Sequence, residues 1–399
     1  MNPRFIQIHF LTSYPAALLN RDDVGFAKRL PFGGTSRTRI SSQCLKRHWR
    51  HSDGEHSLSN LDVPPSIRSR RTFDNYILRP LINDGVDSEK ARLVVEALIG
   101  FFLGQSAKAR QAKAKEGEAP VHTGQITVLG RPEVDYLLET ARELCSSEIA
   151  NPKDAGKKLM EYYDKEGKKN LAALRCGCGL GAALFGRMVT SDILARGDAA
   201  VHVAHAFTVH AEESESDYFS AVDDLLQGGE GEELGSGHIG TTELTSGLYY
   251  GYVVVDVPLL VSNLTGCKRK EWAEADRGPA GEIVENLIHL IATVSPGAKL
   301  GSTAPHAYAH CVLLEGGNTQ PRTLANAFLK PVKDRSDLLR STYNALSEHA
   351  RELDRMYGAD LDRRVSAIGP VEALEGLVEN GPRPLAEIAS WAGALVRGA

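Results

Sequence analysis

The sequence predicts an α+β fold, a small sheet domain carrying a long helical insertion. Two observations carry this expectation. Strand-like segments open the chain and return after residue 186, with Leu248–Leu260 (LYYGYVVVDVPLL) the clearest. Between them, from about Ser66 to Leu184, the apolar spacing is helical throughout. Strands and helices in separate runs, rather than strict alternation, point to α+β.

The elements follow in order. Phe5–Phe10 reads as a strand, being rich in β-branched and aromatic residues. Asn20–Asp23 and Pro31–Gly34 are turns, and Arg37–Ile40 alternates as a short strand. Ser41 or Ser42 suits a helix N-cap, with helix through Gln43–Arg50. Helices are expected at Ala91–Leu103, Glu133–Ser146 and Asp154–Leu174, with Lys108–Glu118 an exposed helix end or loop. Asp198–Ala211 looks like a strand, and Leu226–Gly240, rich in Gly and Glu, like a mobile loop. Pro279–Val294 reads as a helix, Ala309–Glu315 as a strand and Leu324–Leu329 as a short helix. Arg335–Tyr357 and Pro384–Val396 close the chain as helices.

No stretch reaches the roughly 18 apolar residues of a membrane span, and the N-terminus lacks signal-peptide features. A cytoplasmic protein without membrane partners is expected. Six scattered cysteines fit free thiols in a reducing compartment.

Net charge is −5, but it is segregated. Val24–Ser52 contains Lys28, Arg29, Arg37, Arg39, Lys46, Arg47 and Arg50 and no acid, so it carries +7. Gly197–Cys267 contains twelve acids and no Lys or Arg. A basic patch is the footprint of a polyanion. Arg37 and Arg39, two apart on a strand, would share one face. Lys46 and Arg50, four apart, share a helical face. The helix start at Ser41–Ser42 offers backbone N–H groups to a phosphate, with Gln43 as a further donor. Gly33–Gly34 allows a close backbone approach. The strip matches sequence-independent binding of a nucleic-acid backbone.

The motifs NRDD (20–23), FGGxxRxRISSQxLKR (32–47), GRM (186–188), AHAxTxH (204–210) and DYFSAVDDL (217–225) occur in this order. HIGTTELTSGLYYGY (238–252), PGAK (296–299) and LANAF (324–328) follow. Together they resemble the CasC family, the repeated backbone subunit of Cascade, the type I-E CRISPR surveillance complex. The resemblance runs from about residue 3 to 395.

It implies a modified RRM-like (ferredoxin-like) palm with a helical fingers insertion and a β-hairpin thumb. The implied division is 1–55 palm, 56–185 fingers, 186–260 palm strand and thumb, and 261–399 the rest of the palm with the C-terminal helices. The implied function is non-catalytic. Copies, six in the usual assembly, stack head to tail on a guide RNA, displace every sixth nucleotide and support pairing with a target DNA strand. Implied partners are the large and small Cascade subunits, the subunit at the guide 5′ end and the guide-processing endonuclease. Arg21, Ser41, Gln43, Lys46 and Arg50 would hold the guide backbone, beside Arg37, Arg39 and Ser42 read from the strip itself. Met188 would wedge against bases. Phe219, Val222 and Ile239 would sit on the thumb beside the displaced base. Thr35 and Ser36 are neutral where the family often carries Lys or Arg. The acidic thumb is expected to meet the basic palm of the next copy.

No cofactor or metal is expected. The residues leave other readings open. Asp22 and Asp23 could supply oxygen ligands to a divalent metal in a ribonuclease, although capping or a turn is their simpler role. Cys176-Gly-Cys178 has no second pair at zinc spacing. An RNA-free scaffold would leave the basic strip unexplained.

Overall fold

The computed structural model describes residues 2–103, 121–163, 178–187, 197–221, 238–334, 336–358, 360–378 and 381–398. The fold is mixed α+β, with an antiparallel sheet and helices. The chain forms two compact units. The first comprises residues 1–60, 202–255 and 281–399, and the second comprises 61–201 and 256–280.

The strands run in chain order as β1 (Phe5–Ala17), β2 (Arg29–Phe32), β3 (Thr35–Ile40), β4 (Ser66–Ser69), β5 (Thr127–Gly130), β6 (Val201–Val203) and β7 (Ala206–Thr208). They continue as β8 (Ser214–Ala221), β9 (His238–Asp256), β10 (Cys311–Gly317) and β11 (Leu361–Ala367). Among the described residues the main sheet has the order β11-β10-β1-β9-β7-β3-β2, with β6 and β8 also paired to β9. β10, between β1 and the edge strand β11, is buried at all seven positions.

In the first unit, Leu11, Phe207, Leu248, Tyr250, Leu313 and Val365 of the sheet pack with Phe328, Tyr343, Leu346 and Ala350. The last three lie on helix Leu338–Tyr357, whose apolar stripe has helical period. The second unit is built around helices Ser88–Leu103, Arg131–Ser146 and Pro152–Tyr162 and the two-stranded sheet β4-β5. Phe73, Ile77, Val95, Ile99, Phe102, Leu137 and Tyr163 are in its core.

Several boundaries differ from the sequence reading for local reasons. β9 ends at Asp256, where a strand was expected through Leu260. The Asp256 carboxylate accepts from the Leu259 N–H at 3.0 Å and caps helix Val257–Thr265, with Pro258 in its first turn. His238–Gly240, expected in a loop, pair with β8. The rest of that loop, residues 226–237, lies outside the described residues, as do Lys108–Glu118 and Cys176. β11 was not expected from its sequence, LDRRVSA. It pairs with β10, which places Arg363 opposite Glu315.

That pairing belongs to a buried charge network. Glu315, fully buried, accepts from Arg363 Nε at 2.7 Å and Arg322 Nη1 at 2.8 Å, and meets His9 Nε2 at 3.3 Å. Both guanidiniums also bind Asp354. Burial pushes the Glu315 carboxyl up, but His9, Arg363 and Arg322 outweigh it and hold it at about 2, against an ordinary 4.5. A depressed carboxyl contributes stability above its unfolded pKa and loses it as pH falls through the folded one. Stability is therefore expected to fall by about 3 kcal/mol between pH 5 and pH 2. Glu315→Gln should flatten this contribution in urea titrations across that window. An unchanged slope would assign the acid lability elsewhere.

Candidate nucleic-acid interface

The basic segment is positioned by a short hairpin and a helix. β2 and β3 pair antiparallel through the Gly33–Gly34 turn, both residues at positive φ. A Cβ on Gly33 would lie 1.6 Å from the Leu329 carbonyl oxygen. The backbone that approaches this glycine is thus the chain's own. β3 pairs with β7, Arg39 opposite Phe207. Helix Ser42–Arg50 follows at once. Ser41 is its N-cap, its hydroxyl accepting from the Cys44 N–H at 3.3 Å, and Leu45 and Trp49 anchor the inner face. The outer positions then fall to Gln43 and Arg47, exposed, and to Lys46 and Arg50, half-buried.

Arg39, Lys28 and Lys46 converge on His205. Arg39 Nη1 lies 3.2 Å from His205 Nδ1, and the same nitrogen lies 3.3 Å from the Ser42 N–H. Burial first, then the charges of Arg39, Lys28 and Lys46, lower the His205 pKa. Burial and then Arg50 lower Lys46. Further along the helix, burial followed by Arg50, Arg47 and His48 lowers His51. Each shift has the same sign, because burial and, after it, neighbouring positive charge both disfavour the protonated form. Among the described residues no carboxylate forms an ion pair with Lys28, Arg39 or Arg47. An open groove of about 610 Å³ is lined by Asp22, Asp23, Ala27, Lys28, Arg29 and Arg39.

Arg37 is a correction to the sequence reading. The alternation that set it on the same strand face as Arg39 did not foresee what covers it. Its side chain is 0% exposed. Its guanidinium donates to Thr35 Oγ1 (2.9 Å) and to the carbonyls of Phe32 (3.3 Å), Thr208 (2.8 Å), His210 (3.4 Å) and Phe328 (2.9 Å). Fully buried and bonded to the chain itself from all three of its nitrogens, it offers no surface to a phosphate. Ser41 and Ser42 are also largely buried, at 6% and 9% exposure. Ser41 is committed to the cap, so helix start rather than hydroxyl is what it presents.

Arg21 is exposed on the turn after β1, bridged to Ala27. Asp22 shapes that turn. Its Oδ1 accepts from the N–H groups of Val24 (3.0 Å), Gly25 (2.8 Å) and Phe26 (2.9 Å). Among the described residues no three His, Cys, Asp or Glu gather as a metal site.

The acidic segment behaves differently from expectation at two positions. Arg29 Nε pairs with Glu212 at 2.8 Å, and its Nη2 with Glu243. Glu212 also accepts from Ser36 Oγ at 2.6 Å, and Glu243 from the Ala27 N–H at 2.7 Å. These two carboxylates fold back on their own basic hairpin and neutralise Arg29. Both are engaged within their own chain, whereas Glu215 and Asp217 are exposed on β8.

β8 and the first half of β9 form a long antiparallel hairpin, from Ser214↔Thr245 to Ala221↔His238. Tyr218 (64%) and Phe219 (38%) are exposed on it. Ile239 lies on β9 opposite Ser220. Met188 and Val222 lie outside the described residues. Sequence reasoning missed His205 and Lys299 as members of these clusters, although AHAxTxH and PGAK marked their segments.

A family model described as CT1975-like protein matches residues 6–387. No curated protein matches. Among solved structures, a chain described as "CRISPR RNA-guided surveillance complex, pre-nicking" superposes with a TM-score of 0.76 at 26% identity, over 98% of this chain and 100% of that one. A chain described as "CRISPR RNA-guided surveillance complex" has a TM-score of 0.57 at 22% identity, over 98% and 99%, a likeness of fold.

Proposed function

The chain belongs to the CT1975-like protein family, and on that premise we propose that it is the non-catalytic backbone subunit of a type I-E CRISPR Cascade complex. The observation that carries the reading is the cation cluster of Lys28, Arg39 and Lys46 at a helix start, with Arg50 further along the same helix and carboxylates paired away at Arg29. Such a surface suits a phosphodiester backbone and reads no base.

In this reading the first unit is the RRM-like palm, the helices of the second are the fingers, and the β8–β9 hairpin is the thumb. Copies stack head to tail on the guide RNA, with Phe219 beside each sixth, displaced nucleotide. Exposed aromatic surface replaces the stacking that a displaced base loses. Guide pairing to the DNA target strand supplies sequence choice. The other Cascade subunits are the remaining partners. The commitment of Asp22 to three backbone N–H groups supports a turn-forming rather than a catalytic role.

The test is native mass of the protein with and without guide RNA over a salt series, followed by Mg²⁺ or Mn²⁺ incubation. A discrete, salt-sensitive multimer holding intact RNA is expected. Cleavage at six-nucleotide spacing would instead make the chain a ribonuclease, and an RNA-independent multimer would make it a scaffold.

A further inference from the structure

One motif has no part in the phosphate cluster. PGAK (296–299) delivers Lys299 to the β8–β9 hairpin. The segment is tied to the first unit by the Ala298 N–H, which donates to the Leu18 carbonyl at 2.9 Å. The short helix Leu300–Thr303 starts on the Lys299 carbonyl, which accepts from the Thr303 N–H at 3.1 Å. The backbone of Lys299 is therefore fixed at both sides.

Its side chain makes two contacts on one face of the hairpin. Nζ donates to Thr242 Oγ1 at 2.5 Å and lies 5.3 Å from the centroid of the Phe219 ring. Phe219 is directly opposite Gly240 in the ladder, and Gly240 and Thr242, two apart, share a face. The ring lies across Gly240. A Cβ there would be 2.4 Å from Phe219 Cζ and 2.8 Å from Cε1. Any other residue at 240 would push the ring away. Glycine under the ring and an ammonium beside it hold an otherwise exposed aromatic in one place, since an ammonium near an aromatic face is attracted to its quadrupole.

We infer that Lys299 is a positioning residue: with Gly240 it clamps Phe219 in a fixed orientation on the hairpin before any nucleic acid arrives. The inference rests on the proposed function only for what the ring then does. A preset ring meets an unstacked nucleobase without an ordering cost, whereas a swinging one must first be immobilised. Thr242 is 8% exposed, so its hydroxyl is a built acceptor rather than a chance surface contact.

The test uses Lys299→Met, which keeps length and removes charge, Lys299→Arg, which keeps the cation, and Phe219→Leu. In the guide-free protein, the Lys299 methylene protons next to the ammonium should be shifted upfield by the ring current, and Phe219→Leu should abolish that shift. In the complex assembled on guide RNA, 2-aminopurine at a displaced position should fluoresce above 2-aminopurine at a paired one. Lys299→Met should lower that excess about two- to fivefold, the range of one such contact, with the native mass unchanged. Lys299→Arg should restore it. A Lys299 resonance indifferent to Phe219→Leu, or a full excess in Lys299→Met, overturns the inference. A wild-type complex without any periodic excess would overturn the displacement reading, and the resonance would still decide the clamp.

Discussion

Arg37→Met is expected to destabilise the protein by about 3–5 kcal/mol while leaving the RNA affinity of the folded fraction unchanged. The side chain is buried and gives its hydrogen bonds to four carbonyls and one hydroxyl. Methionine fills a similar volume but donates nothing. Each buried acceptor left without its partner costs about 1–3 kcal/mol, partly offset because a buried cation is no longer desolvated. The result would exceed the effect of most point substitutions and consume much of a typical 5–15 kcal/mol stability. Urea midpoints and fluorescence titration with guide RNA measure the two quantities separately. A stable Arg37→Met variant that lost RNA binding would reverse the assignment and return Arg37 to the phosphate-binding strip.

The opposite signature is expected for Arg39→Met combined with Lys46→Met. Both side chains are at least partly accessible and sit in the field that lowers His205. Hydrogen bonds to a charged group contribute about 1.5–3 kcal/mol each. Losing two should weaken guide binding by about 10²- to 10⁴-fold at moderate salt. The slope of log affinity against log salt should also become shallower, by roughly 0.7 per lost contact on a single strand. Because each copy repeats the contacts along one RNA, assembly should fail well before a single copy's binding does. Unfolding midpoints should stay within about 1 kcal/mol of wild type, because both side chains reach the surface and methionine keeps much of their apolar length. An unchanged salt slope would remove these residues from the interface.

These two arginines, two residues apart, show where local sequence runs out. Alternation on β3 places Arg37 and Arg39 on one face, and nothing local separates them. The difference is made by Thr208, His210 and Phe328, which lie far along the chain and whose carbonyls cover Arg37 alone. Glu212 and Glu243 follow the same logic. Composition marks an acidic block, but only the sheet order, in which β7 lies between the basic hairpin and β9, turns two of its members back onto Arg29 and Ala27. His205 was legible as part of a motif, yet its place at the helix start depends on β7 pairing with β3.

What the sequence determined by itself was set by near neighbours. The α+β class, the turn, short strand and helix over 31–50, a serine cap at 41 or 42 and the charge segregation depend on residue periodicity and composition within a few positions. Those signals survive in isolation because alternation, capping and turn chemistry act over one or two turns of chain. The tertiary structure decided which charges face solvent, which are buried and which cancel. It also decided that β11, weak in its own pattern, becomes a strand because Arg363 finds Glu315 and Asp354 there. Burial and pairing are properties of segments brought together from distant parts of the chain, so no local window contains them.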